Sequence, residues 1–162
     1  MGDIILRRAT RADVKAFTAF ARSEIMRSMH YNLVSRKAYS SRVTQAYIRR
    51  VRGGMGFALM AFDGKKLVGC MWACFDSYDK SIAEFEWTLV DRSHRGMGIA
   101  RRMHIRAETL AKEMGARKVW GDSRASNYQA INLEKNLGIR TIGKLKSHWF
   151  GEDYIFWEHM LK

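Results

Sequence analysis

Proline is absent from the 162 residues, where about 5% is usual, and cysteine occurs only twice. Nothing in the sequence accounts for the missing proline; the chain also shows no linker, internal repeat or low-complexity stretch. Cys70 and Cys74 share one apolar run, 67–75, and lack the C-x-x-C spacing of a zinc site, so no metal is expected. On a strand they share a face about 13 Å apart, too far for a disulfide. Two free thiols used as small core residues point to a reducing compartment, hence a cytoplasmic location. No run approaches the roughly 18 apolar residues of a membrane span, and no membrane partner is expected. Met1-Gly2-Asp3-Ile4 lacks the charged-then-apolar design of a secretory signal, and Leu6 stands where acylation of Gly2 needs serine or threonine.

Acidic residues are also scarce. Asp and Glu number 16 against 29 Lys and Arg, a formal charge of +13. Such a field attracts polyanions or phosphorylated small molecules, and charge alone leaves a nucleic-acid partner and a phosphate-bearing cofactor both open. What is present is ordinary globular material, 47% apolar and 28% charged. The length fits one domain, 1–162, able to close a core without staples.

Residues 4–8 read as a first strand. Thr10 and Asp13 have the form of a capping box, followed by Val14, Phe17, Ala21 and Ile25 at helical spacing. A second helix is expected over 41–52, stopped by Gly53-Gly54. The period then changes to β-rich runs at 57–62, 67–75 and 82–90, separated by Asp63-Gly64 and by residues 77–80: a meander. Ala100, Met103, Ala107, Leu110 and Met114 form one helical stripe ended by Gly115. A strand at 118–122 completes a βαβ unit. A helix at 127–137 and a closing hairpin, 141–146 with 154–161, finish the chain. The expected fold is α/β of mixed, α+β-like type, in the order β-α-α-β-β-β-α-β-α-β-β. It has six to seven strands in one mixed sheet flanked by about four helices.

The turn between the fourth strand and the third helix carries the clearest chemistry. Gly96 and Gly98 let the backbone approach a ligand, and the helix start beyond them offers unpaired N–H groups to an anion. Arg95, Arg101 and Arg102 crowd the helix end where cations are disfavoured, which a bound diphosphate reverses. Without a ligand, the arginines stand in solvent and the glycines serve a tight turn. There is no G-K-[ST] of a P-loop, and Arg101 occupies the third-glycine position of a dinucleotide fingerprint.

Arg95-Gly96-Met97-Gly98-Ile99-Ala100 resembles the R/Q-x-x-G-x-G/A signature of the GNAT superfamily of acyl-CoA-dependent N-acetyltransferases. Asn127, Ala130, Leu133 and Gly138 resemble its N-x-x-A-x-x-L-Y-x-x-x-G-F segment. The likeness implies transfer of an acetyl group from acetyl-CoA to a primary amine of a small molecule or protein, with CoA as product. Nucleic-acid-directed transfer and a non-catalytic acyl-CoA-binding relative are the alternatives. It implies backbone bonds from Leu89 and Val90 to the pantetheine and acyl carbonyl. The diphosphate would lie among the amides of Arg95, Gly96, Met97, Gly98, Ile99 and Ala100, with Arg101 beside it, and the side chain of Asn127 would reach the cofactor.

Acyl transfer to an amine needs a base, an oxyanion donor and an acid for the departing thiolate. Glu84 and Glu86, two apart on one strand face, are candidate bases, Glu84 the preferred one, with water relaying the proton to a more distant amine. Either glutamate has an alternative as half of a structural ion pair. The family's tyrosine acid is replaced by Glu134, an acid only with a raised pKa; Tyr128, nearly two turns earlier, is expected to point elsewhere. His94 and His104 are expected to face solvent or phosphate. For the acceptor, the region with Met26, Met29, His30, Tyr31, Arg36, Lys37, Tyr39 and Arg42 reads as a loop that grips an anionic or aromatic group, or as a lid packed inward. Trp149, Phe150, Phe156 and Trp157 read as sheet core or homodimer contact.

Overall fold

The computed structural model describes residues 3–161; Met1, Gly2 and Lys162, and with them the question of acylation at Gly2, lie outside the described residues. Among the described residues seven strands form one sheet: β1 Ile4–Arg8, β2 Gly56–Asp63, β3 Lys66–Phe75, β4 Ile82–Val90, β5 Lys118–Arg124, β6 Arg140–Leu145 and β7 Tyr154–Met160. Four α-helices accompany them: α1 Val14–Arg27, α2 Leu33–Tyr47, α3 Ile99–Glu113 and α4 Tyr128–Asn136. The spatial order is β1-β2-β3-β4-β5-β7-β6. Only β4 and β5 run parallel, because α3 carries the chain back to the same end of the sheet before β5 begins. Asp63 and Lys66 pair across a two-residue turn whose Gly64 has φ +54°, a conformation that glycine adopts without steric cost.

β2 and β3 are covered on both faces and therefore read as nearly continuous apolar runs. On one face α3 supplies Ile99, Met103, Ala107 and Leu110 to a core with Leu59, Met71 and Phe85. On the other, α1 and α2 supply Phe17, Ile25, Val43 and Tyr47 against Met60 and Trp72. Both cysteines are free. Among the described residues no helix is long and apolar enough to cross a membrane, and no cluster of three metal-ligating side chains occurs.

The second helix departs from expectation. It begins at Leu33, not 41, because the Asn32 side chain accepts the Ser35 amide at 2.9 Å and caps it. The first turns hide this from periodicity: Leu33 and Val34 are exposed while Ser35 is buried. Arg36, Lys37, Tyr39 and Arg42 are thus helical, not loop. The helix continues past Tyr47 as a π-turn, Ile48–Arg52.

Gly121 makes the last rung between β4 and β5, opposite Phe85. A Cβ there would lie 2.4 Å from the Trp157 ring and 2.7 Å from the Phe85 carbonyl oxygen. Gly121→Ala is therefore expected to lower stability by about 1–3 kcal/mol, read as a shifted urea midpoint.

Candidate active site

Below the Phe85–Gly121 rung, β4 and β5 part. β4 stays paired with β3 as far as Val90, and β5 with β7 as far as Arg124, but no rung joins them. The cause is local: Trp72 pairs with Trp87 and Ala73 with Phe85, so Glu86 is an extra residue in β4. Such a bulge bends its strand and raises the twist. A wedge opens between the two strands, and two cavities of about 610 Å³ each reach it from opposite sides. They share Tyr31, Glu86, Trp87 and Asp122 in their linings.

One cavity runs from the wedge, along Leu89 and Val90, to the glycine turn and Asn127. Gly96 and Gly98 have φ of +78° and +73°, and a Cβ built on either meets nothing within 4 Å. α3 starts directly after Gly98, with no side-chain cap and no acidic residue in its first turn. Its leading amides are thus left for an anion. Ile99 is buried in the core and Met97 packs against it, so their side chains anchor the turn. Ala100 and Arg101 line the cavity.

Contrary to expectation, two of the three arginines at this turn are engaged by the protein itself. Arg95 donates from Nε to the Val90 carbonyl at 3.0 Å and meets Glu24 at 3.4 Å. Arg102 donates to the Ile4 carbonyl at 2.7 Å, tying α3 to β1. Arg101, exposed, is the one of the three that lines this cavity without such a tie. Asn127 has its Oδ1 engaged as the cap of α4, accepting the Ala130 amide at 3.2 Å.

Two buried polar pairs stand on this face. Ser123 Oγ donates to Glu134 Oε1 at 2.5 Å, and burial pushes the Glu134 carboxyl up to about 7 against the pull of that bond. His104 Nε2 lies 3.0 Å from Thr88 Oγ1, while Nδ1 is buried without a hydrogen-bond partner among the described residues. Burial lowers its pKa to about 4, so His104 is neutral and does not face solvent. His94 sits instead between Ser93 and Asp63. Tyr128 is exposed.

The other face carries the acids. Glu86 receives a two-pronged hydrogen bond from Arg50 of the π-turn. Burial raises its pKa while the guanidinium opposes the rise. Glu84 has no such clamp; burial first, then the Glu86 and Asp122 charges, raise it to about 7. Asp122 on β5 is raised to about 6, chiefly by burial. The pair expected from sequence thus divides into a clamped anion and a free proton acceptor. Asp122 and Arg50 escaped sequence reading: Asp122 stands at the end of the expected strand beside Gly121, Ser123 and Arg124, and Arg50 is one of three arginines in four residues.

Around the acids stands an aromatic wall. Tyr31 packs on Trp87 at 5.3 Å between ring centroids, and Tyr39 bridges Trp87 and Phe150. Buried Arg124 lies 4.2 Å over Tyr31, also facing Tyr154, and ion-pairs with Glu152. Trp149 and Phe150 line this cavity rather than the core, a second correction, because the positive φ of Phe150 turns the 149–151 segment back over it. Trp157 is core, and Phe156 stacks on Trp120.

The family model described as Acetyltransferase (GNAT) family matches residues 21–139. No curated protein sequence matches the chain. Among solved structures, a GNAT-family acetyltransferase from Streptococcus pneumoniae is similar at 14% identity and TM-score 0.82, over 99% of this chain and 100% of that one. YncA from Salmonella typhimurium, solved with its cofactor acetyl-CoA, is 19% identical with TM-score 0.75, covering 98% and 94%. Ribosomal-protein-alanine N-acetyltransferase from Brucella melitensis is 22% identical with TM-score 0.75, covering 97% and 99%.

Proposed function

The chain belongs to the GNAT acetyltransferase family, and from that premise we propose that it is an acetyl-CoA-dependent N-acetyltransferase acting on a primary amine by direct attack. The observation that carries the reading is the meeting of two cavities at the β4–β5 wedge, one beneath a capless helix start and one above unclamped carboxylates. The residues fit acetyl-CoA: Gly96 and Gly98 leave open space where any other residue would place a Cβ, and the first amides of α3 suit a diphosphate. When bound, acetyl-CoA supplies an acetyl group activated as a thioester.

The chain's own groups then divide the proton work between the two sheet faces. Glu84, half ionised near pH 7, takes a proton from the amine. Glu86, fixed by Arg50, keeps a negative charge nearby that raises the basicity of Glu84. The backbone N–H groups of β4 near Val90, left without β5 partners, are the donors for the developing oxyanion. Glu134, held by Ser123 on the opposite face, supplies a proton to the departing sulfur.

Two tests follow. Calorimetric titration with acetyl-CoA is expected to give saturable heat; none would remove the enzyme reading. Glu134→Gln is expected to lower kcat by about 10²-fold with the acetyl-CoA KM unchanged. Because Glu134 acts in its protonated form, it sets the fall of the wild-type rate on the alkaline side of about pH 7, and the variant loses this limb. An unchanged pH profile would leave the acid to solvent.

A further inference from the structure

The acceptor cavity sorts charge by depth. At its floor stand Glu84 and Asp122, half-buried, with Glu86 already clamped. Its walls are rings: Tyr31, Tyr39, Trp87 and, half-open to solvent, Trp149 and Phe150. At its helical wall stand Arg42 and Arg49, both exposed, neither making an ion pair among the described residues. These two arginines line only this cavity and have no place along the one that ends at the glycine turn. Cofactor phosphate does not explain them.

A long aliphatic polyamine meets cations at the mouth of such a pocket and is repelled there. A flat body, by contrast, stacks on the ring walls, and its ammonium is drawn past them to the carboxylates, since ring faces also attract cations. An anionic group on the far side of that body would meet Arg42 and Arg49, where bidentate guanidinium contacts suit carboxylate and phosphate alike. We propose that the acceptor is a primary amine carried on a flat aromatic or heteroaromatic body that bears a carboxylate or phosphate at its opposite end. This rests on the assignment of the cavity as the amine site of an acetyltransferase. The anion has two sources, a free small molecule or the backbone of a polynucleotide whose base carries the amine.

The test is a matched set of acceptors, followed by release of CoA thiol. 4-(2-Aminoethyl)benzoate is expected to exceed phenethylamine at least tenfold in kcat/KM, and to exceed 6-aminohexanoate, which has the anion but no ring. In the double variant Arg42→Gln/Arg49→Gln the advantage over phenethylamine disappears while the phenethylamine rate itself is retained. A nucleotide with an aminoallyl base, compared free and within a single-stranded oligonucleotide, separates the two sources. Preference for the oligonucleotide, with steep salt dependence, assigns the polymer; preference for the free nucleotide assigns the small molecule. A best rate with 6-aminohexanoate, spermidine or a peptide N-terminus overturns the inference, as does an equal loss for both ring amines in the double variant. Saturable acetyl-CoA binding with no turnover of any flat amine overturns the inference alone, whereas absent acetyl-CoA binding overturns the enzyme reading beneath it.

Discussion

Replacing Glu84 by glutamine is expected to lower kcat by about 10²–10⁴-fold, the usual contribution of a positioned base, while raising stability at alkaline pH. The two effects share one cause. The carboxyl is raised from its ordinary value to about 7, first by burial and then by the neighbouring Glu86 and Asp122 charges. Between the ordinary value near 4.5 and about 7, the folded protein holds this proton more tightly than the unfolded chain does. Folding stability contributed by this group is therefore full below the ordinary value and is lost as pH rises through about 7. Glutamine carries no charge to desolvate, so Glu84→Gln should melt at a higher urea concentration than wild type at pH 8. That advantage should shrink at pH 5.

The acid limb of the rate profile belongs to the same proton. With base and acid both near 7, the wild-type profile is a bell centred there; Glu84→Gln should flatten its rise on the acid side and leave the fall set by Glu134. Glu86→Gln should behave oppositely in stability, since it removes one partner of a half-buried ion pair and leaves the Arg50 guanidinium short of a counter-charge. If Glu84→Gln retains full kcat at saturating acceptor, Asp122, raised to about 6 on the same side of the wedge, becomes the base.

The difference between Glu84 and Glu86 shows where sequence reading stops. Strand alternation put both on one face, and the boundaries of β1 and β4 were legible because each is closed by polar or charged residues at both ends. The bulge at Glu86 has no glycine or proline to announce it, yet β4 and β5 part there, and the Arg50 clamp on Glu86 alone is what distinguishes the two carboxylates. Helix starts were legible where a cap precedes a regular apolar stripe, as at Thr10, and illegible at Asn32, where Leu33 and Val34 face water and Ser35 faces the core. Residue type cannot say which way a long side chain folds. Arg102 spans from α3 to a β1 carbonyl, and Arg95 folds back onto Val90. His104 looked like a surface residue but is enclosed because it shares a helix face with Ala107 and lies 5.9 Å from the Phe85 ring. Trp149 and Phe150, apolar enough for a core, were turned toward the cavity that holds Glu84 by a positive φ that no local motif encodes.

The glycine turn was readable because its requirement is a backbone one, and it carries the second large effect. Gly98→Val is expected to weaken acetyl-CoA binding by roughly 100-fold or more, since each amide bond to a charged oxygen contributes about 1.5–3 kcal/mol. Nothing lies within 4 Å of the added Cβ, so the folded chain has room for it. Its cost to folding is then backbone strain alone, about 1–3 kcal/mol for a left-handed non-glycine residue. In the proposed function a diphosphate reaches the amides at the start of α3 through this same open space, and a branched side chain there fills it. Gly115, at the other end of the same helix, is the control: its φ is +93° and its surroundings are equally open. Gly115→Val should lose comparable stability and keep wild-type affinity in calorimetry. Equal loss of affinity in both variants would mean that binding follows helix stability alone. Unchanged affinity in Gly98→Val would place the phosphates elsewhere in the cavity.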